Sequence, residues 1–478
     1  MKLRPLALFG AIAALPLSSG AQPAVPNVPV TGAPPPHPIP LGDSRWLLDL
    51  EARTRAESQE NMRDFDSSFD DEADDSFLVL RFRLGLSLQV TPWLRLYAQG
   101  QDVREIDSDR PNIPEVRGAQ GTDDFDLRQA LIEIADYQHF PLGLTVGRQR
   151  LNYGDRRLVA DRNWNNLGRT FDAVKLRWQE PHWWLDAFAA RVVQIRQGQI
   201  NDGDAADHFF GLYGATDLLR WQTTELYLLY RDKADQQPDL DPTNRLDPEG
   251  GWTGPAQRTF TLGTRWQSRP GPTGPWDYQV ELVFQWGDTW AADRSTPALD
   301  HRAFASSLTG GYTFTGPAWR PRLMLGYDFA SGDRDPNDGR SESFRNLFPA
   351  NHQHYGLIDV FSWRNMHGLR GGLNFTPAPH LDVEVQWHSF WLDESTDYWY
   401  RQNGLNLQRT RTAAGQDVRT IGAGRFVGNE LDFRVTWRPQ PWFTLMAGYY
   451  HFFAADYVAD TGPADDAHVT FVQAQITF

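Results

Sequence analysis

Long runs in which every second residue is apolar constrain this chain more than any other feature. From Phe77 to Val90 the alternation is unbroken. Leu78, Leu80, Phe82, Leu84, Leu86, Leu88 and Val90 fall on one face; Val79, Arg81, Arg83, Gly85, Ser87 and Gln89 fall on the other. Period two marks a strand, and a mostly polar second face means that one side is wet. Soluble strands run about 5–6 residues, whereas strands that cross a bilayer need about 9–11. The run from Phe77 is long enough to cross.

About eighteen such stretches follow one another. They begin near Arg45, Ser76, Trp93, Phe125, Leu142, Phe171, His182, His208, Thr223, Arg258, Trp276, Arg302, Arg320, Asn365, His380, Gly428, Pro441 and Asp466. The connections alternate short and long. Thr91-Pro92, Glu180-Pro181 and Pro439 to Pro441 are short; Ala56 to Asp75, Asp232 to Gln257, Ser331 to Arg364 and Asp393 to Val427 are long and rich in Asp and Gly. Short turns at one end and long loops at the other are the habit of transmembrane barrels. The fold class expected is therefore all-β, an antiparallel transmembrane β-barrel of about eighteen strands with short periplasmic turns and long extracellular loops.

Composition fits this reading. The mean hydropathy of -0.54 is low, and no run of about 20 apolar residues exists to form a spanning helix. A barrel needs only alternate residues apolar. The absence of cysteine excludes disulfide scaffolds, iron–sulfur clusters and Cys-ligated zinc. A formal charge of -15 argues against a nucleic-acid partner. Apart from Lys2, Lys175 and Lys233 every basic residue is arginine or histidine.

Lys2 and Arg4 precede an apolar run from Leu6 to Leu17, then small residues to Ala21. This pattern predicts a signal peptide over residues 1–21. Residues 22–44 form a Pro-rich periplasmic tail, and 45–478 the barrel. Trp93, Trp178, Trp183, Trp184, Trp221, Trp266, Trp276, Trp319, Trp437 and Trp442 lie beside the short turns, as an aromatic girdle would. The last alternating stretch, Val472, Ala474 and Ile476, ends on Phe478, a terminal aromatic of the kind that marks barrels for assembly. The expected location is the bacterial outer membrane.

Several segments carry a family resemblance. GRQRLNYGDRRLV (Gly147 to Val159) leads into NWNNLGRTFDAVKLRW (Asn163 to Trp178). SGDRDPNDGR (Ser331 to Arg340), SFRNLFPANHQHYG (Ser343 to Gly356), HSFWLDEST (His388 to Thr396) and VGNELDF (Val427 to Phe433) follow. Together they resemble the alginate-export family of outer-membrane barrels. The resemblance implies an eighteen-stranded monomer that passes an anionic polysaccharide outward through an arginine-rich constriction, with Arg148, Arg150 and Arg128 in the lining. One departure stands out. Where the exporters proper carry arginines in the penultimate strand, this chain has Leu445, Met446, Ala447 and Gly448.

If the apolar face meets lipid, the opposite parity faces the lumen. That places Arg53, Arg55, Arg81, Arg83, Arg95, Lys175, Arg177, Arg231, Arg265, Arg322, Arg370 and Arg434 inside, with Glu51, Glu133, Glu225, Glu281, Asp328, Glu384, Glu430 and Asp432. Such residues can form a cationic ladder that hands carboxylates along, or neutral cross-strand pairs that stiffen the wall. Asp333, Asp335 and Asn337 have the spacing of a calcium loop, but Asp338 replaces its glycine and no Glu follows at twelve. His352 and His354 are a weak zinc pair. There is no GxSxG, P-loop or HExxH. The expectation is an outer-membrane channel rather than an enzyme, with no cofactor and no nucleic-acid partner. Its partners would be membrane lipid, an anionic polysaccharide or small anions, and periplasmic proteins if it exports polymer. A porin for small anions is the alternative, and a barrel enzyme or structural barrel the remote ones.

Overall fold

A computed structural model of the chain describes residues 38–42, 45–62, 64–68, 74–109, 121–198, 200–234, 256–269, 271–290, 298–404 and 408–478. The expected signal peptide and most of the Pro-rich tail lie outside the described residues.

Eighteen long antiparallel strands form the wall among the described residues. In chain order they are β1 (Trp46–Glu60), β2 (Asp75–Thr91), β3 (Leu94–Ile106), β4 (Asp123–Ile134), β5 (Leu142–Gln149), β6 (Phe171–Gln179), β7 (Trp183–Gln194), β8 (Asp202–Thr216) and β9 (Gln222–Lys233). They continue as β10 (Gln257–Ser268), β11 (Trp276–Thr289), β12 (Leu299–Thr313), β13 (Arg322–Ala330), β14 (Met366–Ala378), β15 (Leu381–Trp391), β16 (Phe426–Gln440), β17 (Phe443–Ala454) and β18 (Ala467–Thr477). Each pairs with its sequence neighbours. The barrel closes where β18 pairs with β1 in the register Glu51↔Thr477. At that seam Leu50 and Phe478 exchange backbone hydrogen bonds of 3.1 and 2.9 Å. Two short strands, Ile39–Leu41 and Arg340–Ser341, add to β1 and β12.

Most strands start within two residues of their expected position. β12 begins at Leu299, three residues before Arg302, and β8 departs furthest: it begins at Asp202 rather than near His208. Its first residues, DGDAAD, carry no hydrophobic alternation, yet they pair with β7 beyond a bulge between Arg191 and Val193. Partner hydrogen bonds extend that strand; its own side chains do not.

The alternation sorts the two faces. Leu226, Leu325, Leu212 and Val472 are exposed on the outside. Arg55, Arg81, Glu430 and Asp186 are buried inside. Trp93, Trp178, Trp183, Trp221, Trp276, Trp319, Trp437 and Trp442 are exposed at the short-turn end and form the expected girdle. Trp184 departs from it. Being adjacent to Trp183 it takes the opposite parity, and it lies inside the wall beneath the Arg177 guanidinium, 4.4 Å from its ring.

Leu325, 65% exposed near the middle of β13, offers a direct test of the outer face. Leu325→Arg is expected to cost about 2–4 kcal/mol, read from denaturant unfolding in lipid vesicles. A cost near zero would place this face away from lipid.

Candidate functional site

A barrel of this strand number leaves an aqueous interior unless something fills it. Here the chain itself enters. Three connections at the long-loop end, residues 150–170, residues 331–365 and a third described over 392–404 and 408–425, turn inward rather than standing in solvent. Two of them meet at Val159 and Phe348, which form a parallel bridge. The Ala160 amide donates to the Phe348 carbonyl at 2.8 Å, and the Phe348 amide to that of Leu158 at 2.8 Å. Leu151, Leu158, Phe344, Leu347, Ile358, Phe361, Trp363 and Trp399 are buried together against Phe171, Phe209, Phe390 and Phe452 of the wall. This is a hydrophobic core inside the lumen. Two of its indoles are paired: Trp363 Nε1 donates to the Phe329 carbonyl and Trp399 Nε1 to that of Val360, each at 2.9 Å.

Arginines fasten the first of these loops to β1 and β2. Arg53 Nη1 donates to the Asn163 carbonyl at 3.0 Å and Nη2 to Asn166 Oδ1 at 2.9 Å. Arg55 donates to the Trp164 carbonyl at 3.1 Å and stacks over its ring at 4.4 Å. Arg81 reaches the carbonyls of Asn163 and Asn165, both at 3.0 Å. Arg83 donates to Asn163 Oδ1 at 2.7 Å. Gly168 completes the turn at φ +71°, where a Cβ would lie 3.1 Å from Arg83 Nη2 and 3.3 Å from Arg128 Nη2. Among the described residues Glu51 pairs with Arg81 (2.5 Å) and Arg83 (3.3 Å), and Glu57 with Arg55 (3.0 Å). The surplus positive charge is met by carbonyl dipoles. A planar guanidinium with five donors suits that task; an ammonium on a flexible stem would not.

Elsewhere the inward arginines sit in cross-strand pairs. Arg177 holds Asp186 in two bonds of 2.6 and 2.7 Å, with Lys175 at 3.9 Å. Arg231 holds Asp207 at 2.9 and 2.5 Å and also donates to the Leu347 carbonyl. Arg95 pairs with Glu133 (2.6 Å), Arg265 with Glu225 (2.6 Å), Arg322 with Asp277 (2.5 Å) and Arg434 with Glu384 (2.7 Å). Glu281 accepts from Tyr227 at 2.7 Å, and Arg370 donates to Thr309 at 3.1 Å. Glu430 accepts the Ile358 amide at 2.8 Å, so it anchors a loop, while Asp432 lies 3.4 Å from His388.

Below the loops, toward the short-turn end, the lumen opens into a cavity of about 930 Å³ that adjoins a second of about 580 Å³. Their walls carry Arg150, Arg156, Arg265, Arg269, Arg320, Arg322, Arg434 and Arg438 against Glu180, Asp217, Glu225, Asp277, Asp382 and Glu384. Trp184, Tyr213 and Tyr278 add aromatic surface. The arrangement can bind anions, since Arg265, Arg269, Arg322, Arg434 and Arg438 each hold a carboxylate that an incoming one can replace. Arg150 also reaches Asp161 at 3.3 Å. Burial alone would raise the Asp161 carboxyl, yet Arg150 and Arg128 bring it below the ordinary range.

Of the residues picked out from sequence, Arg148 is the one that the structure turns the other way. It shares parity with Leu144 and Val146, and binds Asp172 on the outer surface at 2.8 and 3.0 Å. The run Leu142, Leu144, Val146 already implied this; the motif match pointed elsewhere. Arg150 lies just past the end of β5, in the loop, and does face the cavity. The acidic turn near Asp333 is closed by its own backbone: Asp335 accepts the Asn337 amide at 3.1 Å and Asp338 that of Arg340 at 2.8 Å. No group of three or more metal-binding side chains is arranged to hold a cation among the described residues. His352 instead stacks on Trp164, centroids 4.2 Å apart, and pairs with Asp359 at 2.9 Å. His354 lies against Asp155, and burial followed by the nearby Arg157 keeps it well below the usual imidazole range, hence neutral. Alternation could not find Arg157, buried between Asp328 (3.0 Å) and the Tyr355 hydroxyl (2.7 Å). The available signal was composition: LFP and GLIDVFSW are too apolar for solvated loops.

Two outcomes test the loop docking. Asn166→Ala removes an acceptor for Arg53 and a 2.9 Å donor to the Leu80 carbonyl. It should weaken docking by about 1–3 kcal/mol, seen as faster hydrogen exchange over 161–169; unchanged protection would mean that the clamp does not hold this loop. At the outer mouth, burial and then Asp397 push the Asp333 carboxyl up from 3.8 to about 7. A raised carboxyl favours the docked state at acid pH, so docking of 331–340 should loosen as pH rises from 3.8 through about 7 and no further. Asp333→Asn should flatten that dependence in rate-corrected exchange; an unaltered profile would assign it to another group.

The profile of the alginate-export family, "Alginate export", matches residues 46–472. No curated protein matches. Among solved structures, Pseudomonas aeruginosa OpdK with vanillate is similar at TM-score 0.56 and 13% identity, over 90% of this chain and 98% of that one. Pseudomonas aeruginosa OccD3 (OpdP) gives 0.55 and 13%, over 92% and 93%. OprD of the same organism gives 0.52 and 12%, over 91% and 95%. At such identities these likenesses speak to the fold, that of outer-membrane porin barrels. The short-turn end is thus the periplasmic one and the long-loop end the extracellular one. With the family profile covering nearly the whole barrel, this chain belongs to the alginate-export family of outer-membrane channels.

Proposed function

We propose that this barrel carries an acidic polysaccharide of the alginate type outward, and that the arginine-lined periplasmic vestibule is where the polymer enters. The observation that carries this reading is the vestibule wall, with eight arginines against six carboxylates. Uronate carboxylates enter by exchange: a solute carboxylate displaces Glu225 from Arg265, or Asp277 from Arg322, and an existing hydrogen bond is swapped rather than lost. Binding that swaps partners is weak enough to let the solute leave. Tyr278 offers a flat face for a sugar ring. The inward loops then move aside or thread the chain between them. Carbonyl-to-arginine bonds fasten them to the wall, and an anion competes for those same donors.

A second reading is uptake of small anions. The loop-packed lumen favours it, because a narrow path suits a small solute better than a polymer. One structural neighbour, OpdK, was solved with vanillate, a small aromatic carboxylate.

Planar-bilayer conductance of the refolded protein under a salt gradient separates the two. The expected result is anion-selective conductance, blocked by polyuronate from the periplasmic side. Arg265→Glu with Arg322→Glu should weaken that block at least tenfold. Conductance indifferent to polyuronate but reduced by small aromatic carboxylates would favour uptake. Cation-selective conductance would overturn both.

A further inference from the structure

The outer surface holds a feature that no transport role uses. At the extracellular end of β5–β11 one cross-strand row is ionisable at every position on the outward face. The register runs Arg148↔Asp172, Asp172↔Arg191, Arg191↔His208, His208↔Asp232, Asp232↔Arg258 and Arg258↔Asp288. Arg148 is held by Asp172. Arg258 lies 3.7 Å from Asp232. Arg191 is exposed and His208 half-buried, and neither side chain has an ion pair or hydrogen bond among the described residues.

Immediately below this row the outer wall is grooved. A cavity of about 420 Å³, almost wholly apolar, opens on the lipid side between β6 and β10. Ala187 and Ala189 make its floor; Leu176, Phe210, Leu212 and Leu228 make its sides. Small side chains between bulky ones leave a channel in the outer surface. Ala189 precedes Arg191 by one step of the outward face, about 7 Å along the strand, so the groove ends beneath Arg191 and His208.

Depth fixes which lipids the row meets. Trp183 sits in the periplasmic girdle, eight residues before Arg191 on the same face. At ~3.4 Å per residue and a tilt of ~40°, that is ~21 Å, close to the ~25 Å height of an apolar band. Arg191 and His208 therefore lie at the headgroup level of the outer leaflet.

We infer that the groove on β6–β10 and the Arg191–His208 pair above it form a site for one phosphorylated glycolipid of the outer leaflet. An acyl chain lies along Ala187 and Ala189, and a sugar phosphate bonds to Arg191 and His208. Charge complementarity selects this occupant. A phosphate sits directly over the two unpaired donors, while Asp232 and Asp288, further along the row, suit the divalent cations that bridge such headgroups. The site works from outside the wall and does not depend on which solute passes.

Native mass spectrometry of the detergent-purified full-length barrel, titrated with bisphosphorylated lipid A, tests this. One lipid A should be retained per barrel. Retention should fall at least tenfold with the dephosphorylated lipid, with Arg191→Glu plus His208→Gln, and with Ala189→Trp, which fills the groove. Heat-modifiable gel mobility checks that each variant is folded, and the dephosphorylated lipid tests the phosphate on unaltered protein. Equal retention of phosphorylated and dephosphorylated lipid, or of phosphatidylglycerol and lipid A, would overturn the assignment.

Discussion

The interaction on which everything else depends is the inter-strand backbone hydrogen bond. Inside a bilayer no water can satisfy a peptide group, and each orphan costs several kcal/mol. A sheet can cross only if its edges vanish, which is what the pairing of Glu51 with Thr477 achieves. Closure then dictates the sequence pattern. Every residue must point to lipid or to the lumen, and the two environments demand opposite chemistry. Leu325 and Glu430 are each required by the side on which they fall.

Closure also creates a problem of its own, a wide interior lined with charge. Part of the answer here is to fill it. The segments around Phe348 and Trp363 bring a hydrophobic core into the lumen, and Arg53, Arg55, Arg81 and Arg83 bind the loop carrying Trp164 through its carbonyls. Burying so many guanidinium groups is costly unless their donors are used. Carbonyls can use them without adding net negative charge. On the transport reading this leaves the arginines attractive to a solute anion, whereas a matching set of buried carboxylates would have neutralised them.

The wall was legible in the sequence because period two is imposed by the bilayer residue by residue. Strand starts such as Leu142, Phe171 and Trp276 stand where the alternation begins. Where side chains do not set the strand, the reading failed. The DGDAAD start of β8 is held by its partner's backbone, which no local pattern records. Arg148 shows the converse: its parity placed it outside, and a motif match outweighed that evidence. The inward loops were the least legible part. Acidic, Gly-rich stretches look solvated, and a contact between Val159 and Phe348 depends on a closed barrel bringing distant segments together. Arg157 and Tyr355 are fixed by the same long-range packing.

Charge placement, finally, matters more than charge total. The chain is acidic overall, at -15, which taken alone would predict repulsion of anions. Yet its carboxylates are spread through connections and cross-strand pairs, while arginines gather at the vestibule and behind the Asn163–Asn166 turn. Low-dielectric walls focus field lines along a lumen, so a few unbalanced guanidinium groups there outweigh many solvated carboxylates outside. The same logic applies across a single strand end. Arg148 and Arg150, two residues apart but separated by the end of β5, face the outer surface and the luminal cavity respectively. One residue type thus serves two surfaces, and the wall's geometry decides which.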